Sequence, residues 1–157
     1  MASVEGPGNG GIGSGTVAGP LPFFVYGTLR PGEVNHDLFL LGRTAAERPA
    51  RLAAAELYDG PGYPYAVEAP ARPGHPGIAG ELVTPAEGEY ERLVAELDRL
   101  EEYHGPGREN LYVRVARTVE LADGTRTPAW VYLAAPALAA RLTAGGRTIP
   151  TGDWLAR

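Results

Sequence analysis

The residue pattern predicts an α+β chain: a small mixed or antiparallel sheet curled towards a barrel, with a few flanking helices. Three observations carry this. Short apolar runs recur between Pro- and Gly-rich breaks such as Asp59-Gly60-Pro61-Gly62 and Arg72-Pro73-Gly74, the spacing of strands and turns. An Asp-Gly pair, Asp123-Gly124, separates two runs of strand-forming residues, a strong hairpin signal. A single long stretch, Pro85 to Leu100, has helical periodicity.

Taken in order, residues 1–20 are glycine-rich and nearly free of large apolar side chains, and read as a flexible leader that cannot offset the entropy of ordering. Gly8, Gly10 and Gly13 match a G-x-G-x-x-G pattern, but no strand precedes it and no βαβ unit surrounds it, so it is read as chance. Leu21 to Tyr26 is a buried first strand ending at Gly27. Asn35 or Asp37 is expected to cap a short helix through Leu38, Phe39, Leu40 and Leu41, with Gly42 as its stop. Further strands are expected near 50–58, 64–69 and 77–83. Thr84 is the expected N-cap of the long helix, with Glu87 completing a capping box. Leu111 to Leu121 and Thr127 to Leu133 form the closing hairpin. The domain then occupies 21–135 and residues 136–157 are a C-terminal extension, whose packing the sequence leaves open.

Composition narrows the chemistry. A chain of 157 residues fits one domain able to bury a core. Fourteen basic residues against nineteen acidic leave a net charge of -5, with no basic block for phosphates, so nucleic acid is a poor partner. No apolar run approaches the length of a membrane span and no secretory pattern opens the chain, so the protein reads as cytoplasmic. There is no cysteine and no lysine, which removes thiolate and Schiff-base chemistry. Serine occurs only at Ser3 and Ser14, inside the leader, and His36, His75 and His104 have no metal-ligand spacing. No metal or cofactor is expected, and any catalysis must rest on carboxylates, hydroxyls, arginines and backbone amides.

The helix singles out one carboxylate. Tyr90, Leu93, Val94, Leu97 and Leu100 form an apolar stripe centred on Leu97. At about 100° per residue Glu101 falls roughly 40° from Leu97, inside the stripe, while Glu102 falls roughly 140° away. An inward carboxyl without a partner has its pKa raised, as suits a general acid or base. The alternative is a helix already ended at Leu100, with Glu101 in a solvated loop; periodicity does not separate the two.

Two stretches carry a resemblance. FFVYGTLRPGEVNH, residues 23–36, resembles the signature loop of the γ-glutamylcyclotransferase-like family, and LDRLEEYHGPGRENLYVRV, residues 97–115, resembles its Leu-Asp-x-x-Glu segment followed by Tyr-x-Arg. Gly62-Tyr63-Pro64, Gly80-Glu81-Leu82 and Ala129-Trp130-Val131-Tyr132 fit the same order, so the likeness spans about residues 22–134. It implies a barrel-like fold and release of an amine from a γ-glutamyl compound as the glutamyl part cyclises to 5-oxoproline. It implies Glu101 as the catalytic carboxylate and Tyr26, Gly27, Thr28 and Leu29 as the γ-glutamyl-binding loop. Arg30 is a candidate carboxylate ligand, against the commoner outcome of an exposed arginine, and Tyr112 and Tyr132 are either cavity liners or core or sheet-surface tyrosines on their strands. The tyrosine-glycine-threonine-leucine type resembles γ-glutamylamine cyclotransferases and the enzyme that deprotects butirosin-type antibiotics. The expected partner is a small γ-glutamyl substrate, the expected assembly a monomer or homodimer; the competing readings are a binding module of the same fold without turnover and a γ-glutamyl amide hydrolase in which Glu101 activates water. One departure stands out: the family usually has Gly after the catalytic Glu, where this chain has Glu102.

Overall fold

A computed structural model describes residues 20–157; residues 1–19, with the Gly8, Gly10 and Gly13 match and most of the expected leader, lie outside the described residues. Seven strands follow one another: β1 Phe23–Val25, β2 Thr44–Leu52, β3 Ala55–Tyr58, β4 Tyr65–Glu68, β5 Ile78–Pro85, β6 Tyr112–Leu121 and β7 Arg126–Ala134. The helical elements are a π-helix at His36–Leu40, α1 at Tyr90–Leu100, α2 at Pro136–Gly145 and a 3-10 turn at Trp154–Ala156. None of the described helices is long and apolar enough to cross a membrane.

Five strands close into a barrel in the order β1-β5-β2-β6-β7, and β3 and β4 form a separate two-stranded hairpin. Closure is parallel: Phe23 of β1 lies opposite Trp130 of β7, whose N–H donates to the Pro22 carbonyl at 2.8 Å. The remaining barrel pairings are antiparallel, so the sheet is mixed and barrel-like as the sequence predicts. Two-residue alternation sorts the strands into two cores. Phe24, Ile78, Leu82, Val119, Val131 and Leu133 fill the barrel, while Phe23, Val25, Val83, Tyr112 and Tyr132 face outwards into a second cluster. That second cluster is closed by α1, whose Leu93 and Leu97 are fully buried and whose Tyr90, Val94 and Leu100 pack beside them. The apolar stripe read from the sequence is the docking face.

Three local expectations are corrected. The long helix begins at Tyr90, not Pro85, and Thr84 is no cap: Thr84 and Pro85 extend β5 and pair with Ala46 and Thr44 of β2. Gly88, at φ +84°, then sits in the left-handed region and turns the chain into the helix. The strand expected at 50–58 is two strands, because β2 pairs with β5 from Thr44 to Leu52 and pairing stops there. Its N-terminal half was hidden because Arg48 and Pro49 are exposed and blur the alternation. Asn35 and Asp37 cap nothing through their side chains, and the short helix is a π-helix with Leu40 buried and Leu38 exposed. Arg43 clamps that segment to α1, donating to the Phe39 carbonyl at 3.1 Å and to Glu89 and Glu96 at 3.0 and 2.8 Å.

After α2 the chain returns to the barrel. Asp59 and Ile149 N–H groups donate to the Arg147 and Leu57 carbonyls, Ala79 N–H donates to Gly152, and Ile149 and Trp154 are buried in the barrel core.

Candidate active site

The C-terminus of α1 presents the carboxylate. Tyr103 N–H donates to the Asp98 carbonyl at 2.8 Å and Glu102 N–H to the Arg99 carbonyl at 3.2 Å, the paired bonds of a Schellman motif. In that motif Glu101 is the C-cap and Glu102 the left-handed residue that follows, at φ 55°. A side chain there costs about 1–2 kcal/mol, which explains why a glycine is usual at this point. The helix has therefore ended at Leu100, yet Glu101 keeps near-helical dihedrals (φ -86°, ψ 3°) and its place on the docking face. Both sequence alternatives were half right: the residue is a cap, and it is turned inward.

Glu101 opens into a cavity of about 300 Å³ between the end of β1, the β3–β4 hairpin, the C-terminus of α1 and strands β6 and β7. Its walls are the Tyr26–Leu29 loop with Val34 and Asn35, the tip Gly62–Pro64, residues Leu100–Glu102, and Leu111, Tyr112 and Tyr132. Burial pushes the Glu101 carboxyl up from 4.5 to about 7. The phenol of Tyr26 is raised by burial and then by the Glu101 charge; that of Tyr112 by burial, then Tyr26 and Glu101. Tyr132 is raised chiefly by burial and by its bond to Asp98, with Glu101 a smaller cause. These three phenols stay neutral at physiological pH.

Each phenol donates to the protein. Tyr26 OH donates to the Tyr132 carbonyl, Tyr112 OH to the Pro64 carbonyl at 2.8 Å, and Tyr132 OH to Asp98 at 2.6 Å. Their oxygens keep accepting lone pairs, so a cavity ligand meets them as acceptors and as walls. Asp98 also takes a two-pronged bond from Arg114 at 2.8 and 3.2 Å, and Arg114 stacks over Trp130 at 4.4 Å. Tyr132 is thus locked through the helix that carries Glu101.

The loop is shaped by a close approach. A Cβ on Gly27 would stand 2.7 and 2.8 Å from the Pro64 ring, so glycine lets the β3–β4 tip close against β1. The glycine is required by packing, since its backbone is not left-handed. Arg30 N–H bonds back to the Gly27 carbonyl at 3.1 Å, and Asn35 ties Thr28 twice, N–H to carbonyl at 3.1 Å and amide to hydroxyl at 2.8 Å. Among the described residues the N–H groups of Gly27, Thr28 and Leu29 meet no acceptor, which leaves successive donors at the cavity wall.

Arg30 is placed elsewhere. It is 7% exposed and lies outside the cavity lining; its guanidinium grips Glu81 at 2.8 and 3.1 Å and Asp153 at 2.6 Å. It does bind carboxylates, but the protein's own, and so fastens the loop to β5 and to the C-terminal turn. Asn35, Tyr63 and Pro64 join the cavity wall and Asp98 anchors Tyr132, though none of the four was expected as a site residue from the sequence. Asp98 had a signal, lying three residues before Glu101 on the same helix, whereas Asn35 and Pro64 reach the site through loops without periodicity.

The family model described as gamma-glutamyl cyclotransferase, AIG2-like, matches residues 23–156. Gamma-L-glutamyl-butirosin B gamma-glutamyl cyclotransferase from Niallia circulans is 36% identical over 111 residues, 70% of this chain; the match spans 64% of that relative, under two-thirds of its length. YkqA from Bacillus subtilis superposes with a TM-score of 0.56 at 25% identity, over 85% of this chain and 39% of its own. The mouse AIG2-like protein gives 0.53 at 21% identity, over 74% and 80%. The family match spans both walls of the cavity, the loop after β1 and the end of α1, and the chain belongs to the γ-glutamyl cyclotransferase, AIG2-like family.

Proposed function

We propose that the protein is a cytoplasmic, metal-independent γ-glutamyl cyclotransferase that releases an amine and 5-oxoproline from a γ-glutamylamine or a related γ-glutamylated metabolite. The observation that carries this is the Glu101 carboxyl, pushed up to about 7 by burial, in one cavity with the phenols and with the Gly27–Leu29 loop, whose amides meet no acceptor among the described residues. A chain without cysteine or lysine suits a reaction in which the substrate supplies its own nucleophile. Glu101 takes a proton from the substrate α-ammonium. The freed nitrogen lone pair attacks the γ-carbonyl carbon, the C–N bond to the amine breaks, and Glu101 returns the proton to the leaving nitrogen. The ring nitrogen gives up its extra proton to solvent.

Folding the glutamyl chain so that the two ends meet supplies the larger share of the acceleration, since oriented intramolecular attack is worth roughly 7–11 kcal/mol. The Gly27–Leu29 amides are the donors for the oxyanion or the α-carboxylate. Incubating the protein with a panel of γ-glutamylamines and reading products by mass spectrometry tests the reading. The expected product is 5-oxoproline, with turnover lost in Glu101→Gln. Free glutamate in its place would instead mean that Glu101 activates water, and normal turnover by the Gln variant would remove Glu101 from the chemistry.

A further inference from the structure

We propose that Glu102 sets the class of amine released here, favouring leaving groups that carry a second positive charge. The inference rests on the cyclotransferase reading and deepens it.

Glu102 occupies the one non-glycine left-handed position among the described residues, at φ 55°. A glycine would satisfy the Schellman motif at lower cost, so the side chain has to be explained by what it reaches. It is exposed and lines the cavity, and among the described residues it has no ion pair or side-chain hydrogen bond. Among the described residues Glu101 and Glu102 are the only charged residues in the lining. Among the described residues Arg30 is committed to Glu81 and Asp153 and Arg114 to Asp98, and Arg99, three residues before Glu102 in the last turn of α1, forms no ion pair with it.

The consequence is an uncompensated carboxylate at the edge of a site meant for a glutamyl group that itself carries a carboxylate. At the glutamyl end this charge is unhelpful. It becomes useful if the other end of the substrate, the departing amine, brings a cationic group to it. The same charge acts against leaving groups that carry a carboxylate, such as amino acids and peptides, because specificity is set by repulsion as well as attraction. The fitting substrates are mono-γ-glutamyl derivatives of diamines and other polyamino compounds.

Three γ-glutamyl amides with the same four-carbon spacer test this: one ending in an amine, one in a methyl group and one in a carboxylate. For the unaltered protein kcat/KM for 5-oxoproline release should fall from cationic to neutral to anionic, by about three- to fivefold per step, and the spread should shrink at high ionic strength. Glu102→Gln, which keeps the shape, and Glu102→Gly, which suits the backbone better, should each compress the series to within about twofold. Equal efficiency on all three amides in the unaltered protein, or an unchanged series in both variants, overturns the inference alone. Absence of 5-oxoproline from every amide overturns the cyclotransferase reading and this inference with it.

Discussion

Replacing Glu101 by glutamine should make the protein more stable as it makes it inactive, and the gain should depend on pH. In the folded protein burial holds the carboxyl at about 7, against an ordinary value of 4.5. Below pH 4.5 it is protonated folded or unfolded and costs nothing. Between 4.5 and 7 the unfolded chain releases its proton while the folded one keeps it, so the stability this group contributes at low pH is progressively lost as pH rises, and above 7 the loss is complete. About 2.5 pH units at about 1.36 kcal/mol each put the loss at about 3 kcal/mol. Glu101 is only half-buried, so solvent screening makes this an upper value. The neutral glutamine carries no such penalty. Thermal unfolding of both proteins from pH 4.5 to 8.5 should show the variant's Tm advantage growing by up to about 6–12 °C and levelling off above neutrality. An advantage that stays flat across that range would falsify the claim that the half-buried Glu101 has a desolvated carboxyl without a counter-charge, and with it the electrostatic basis of the proposed chemistry.

Other perturbations follow from the same geometry. The acid limb of the kcat/KM profile should have its midpoint near pH 7, rising with pH as Glu101 ionises; a limb near 4.5 would show a solvated carboxylate. Gly27→Ala drives a methyl group into the Pro64 ring, so urea unfolding should report a loss of about 1–3 kcal/mol, accompanied by weaker substrate binding. Arg30→Met strands Glu81 and Asp153 and should cost about 3–5 kcal/mol by denaturant unfolding; a loss under about 1 kcal/mol would show that the triad is solvated. Asp98→Asn removes the charge that holds Arg114 and weakens the acceptor of Tyr132, and should cost about 1–3 kcal/mol while lowering kcat more than it raises KM.

The sequence by itself determined what depends on local periodicity. The stripe Tyr90, Leu93, Val94, Leu97 and Leu100 named the face of α1 and carried Glu101 into its arc. The Asp123-Gly124 turn located the β6–β7 hairpin, where Thr125 N–H bonds to the Asp123 side chain at 2.9 Å. Strand alternation set Tyr112 apart from Leu111, Val113 and Val115, but that Tyr112 and Tyr132 share the outer cluster with α1 came from the fold. Only the tertiary structure decided where strands end and which charges meet. Thr84 has a good capping sequence, but a ladder partner at Ala46 outweighs a local cap. Arg30 meets Glu81 and Asp153 across separations of 51 and 123 residues, and no pattern around Arg30 foretells them. The parallel closure of β1 on β7 joins Phe23 to Trp130, and with it the loop and the carboxylate come to share one cavity. Periodicity reports the solvent and core sides of one element; pairing and charge partnership are relations between elements, set when the barrel closes.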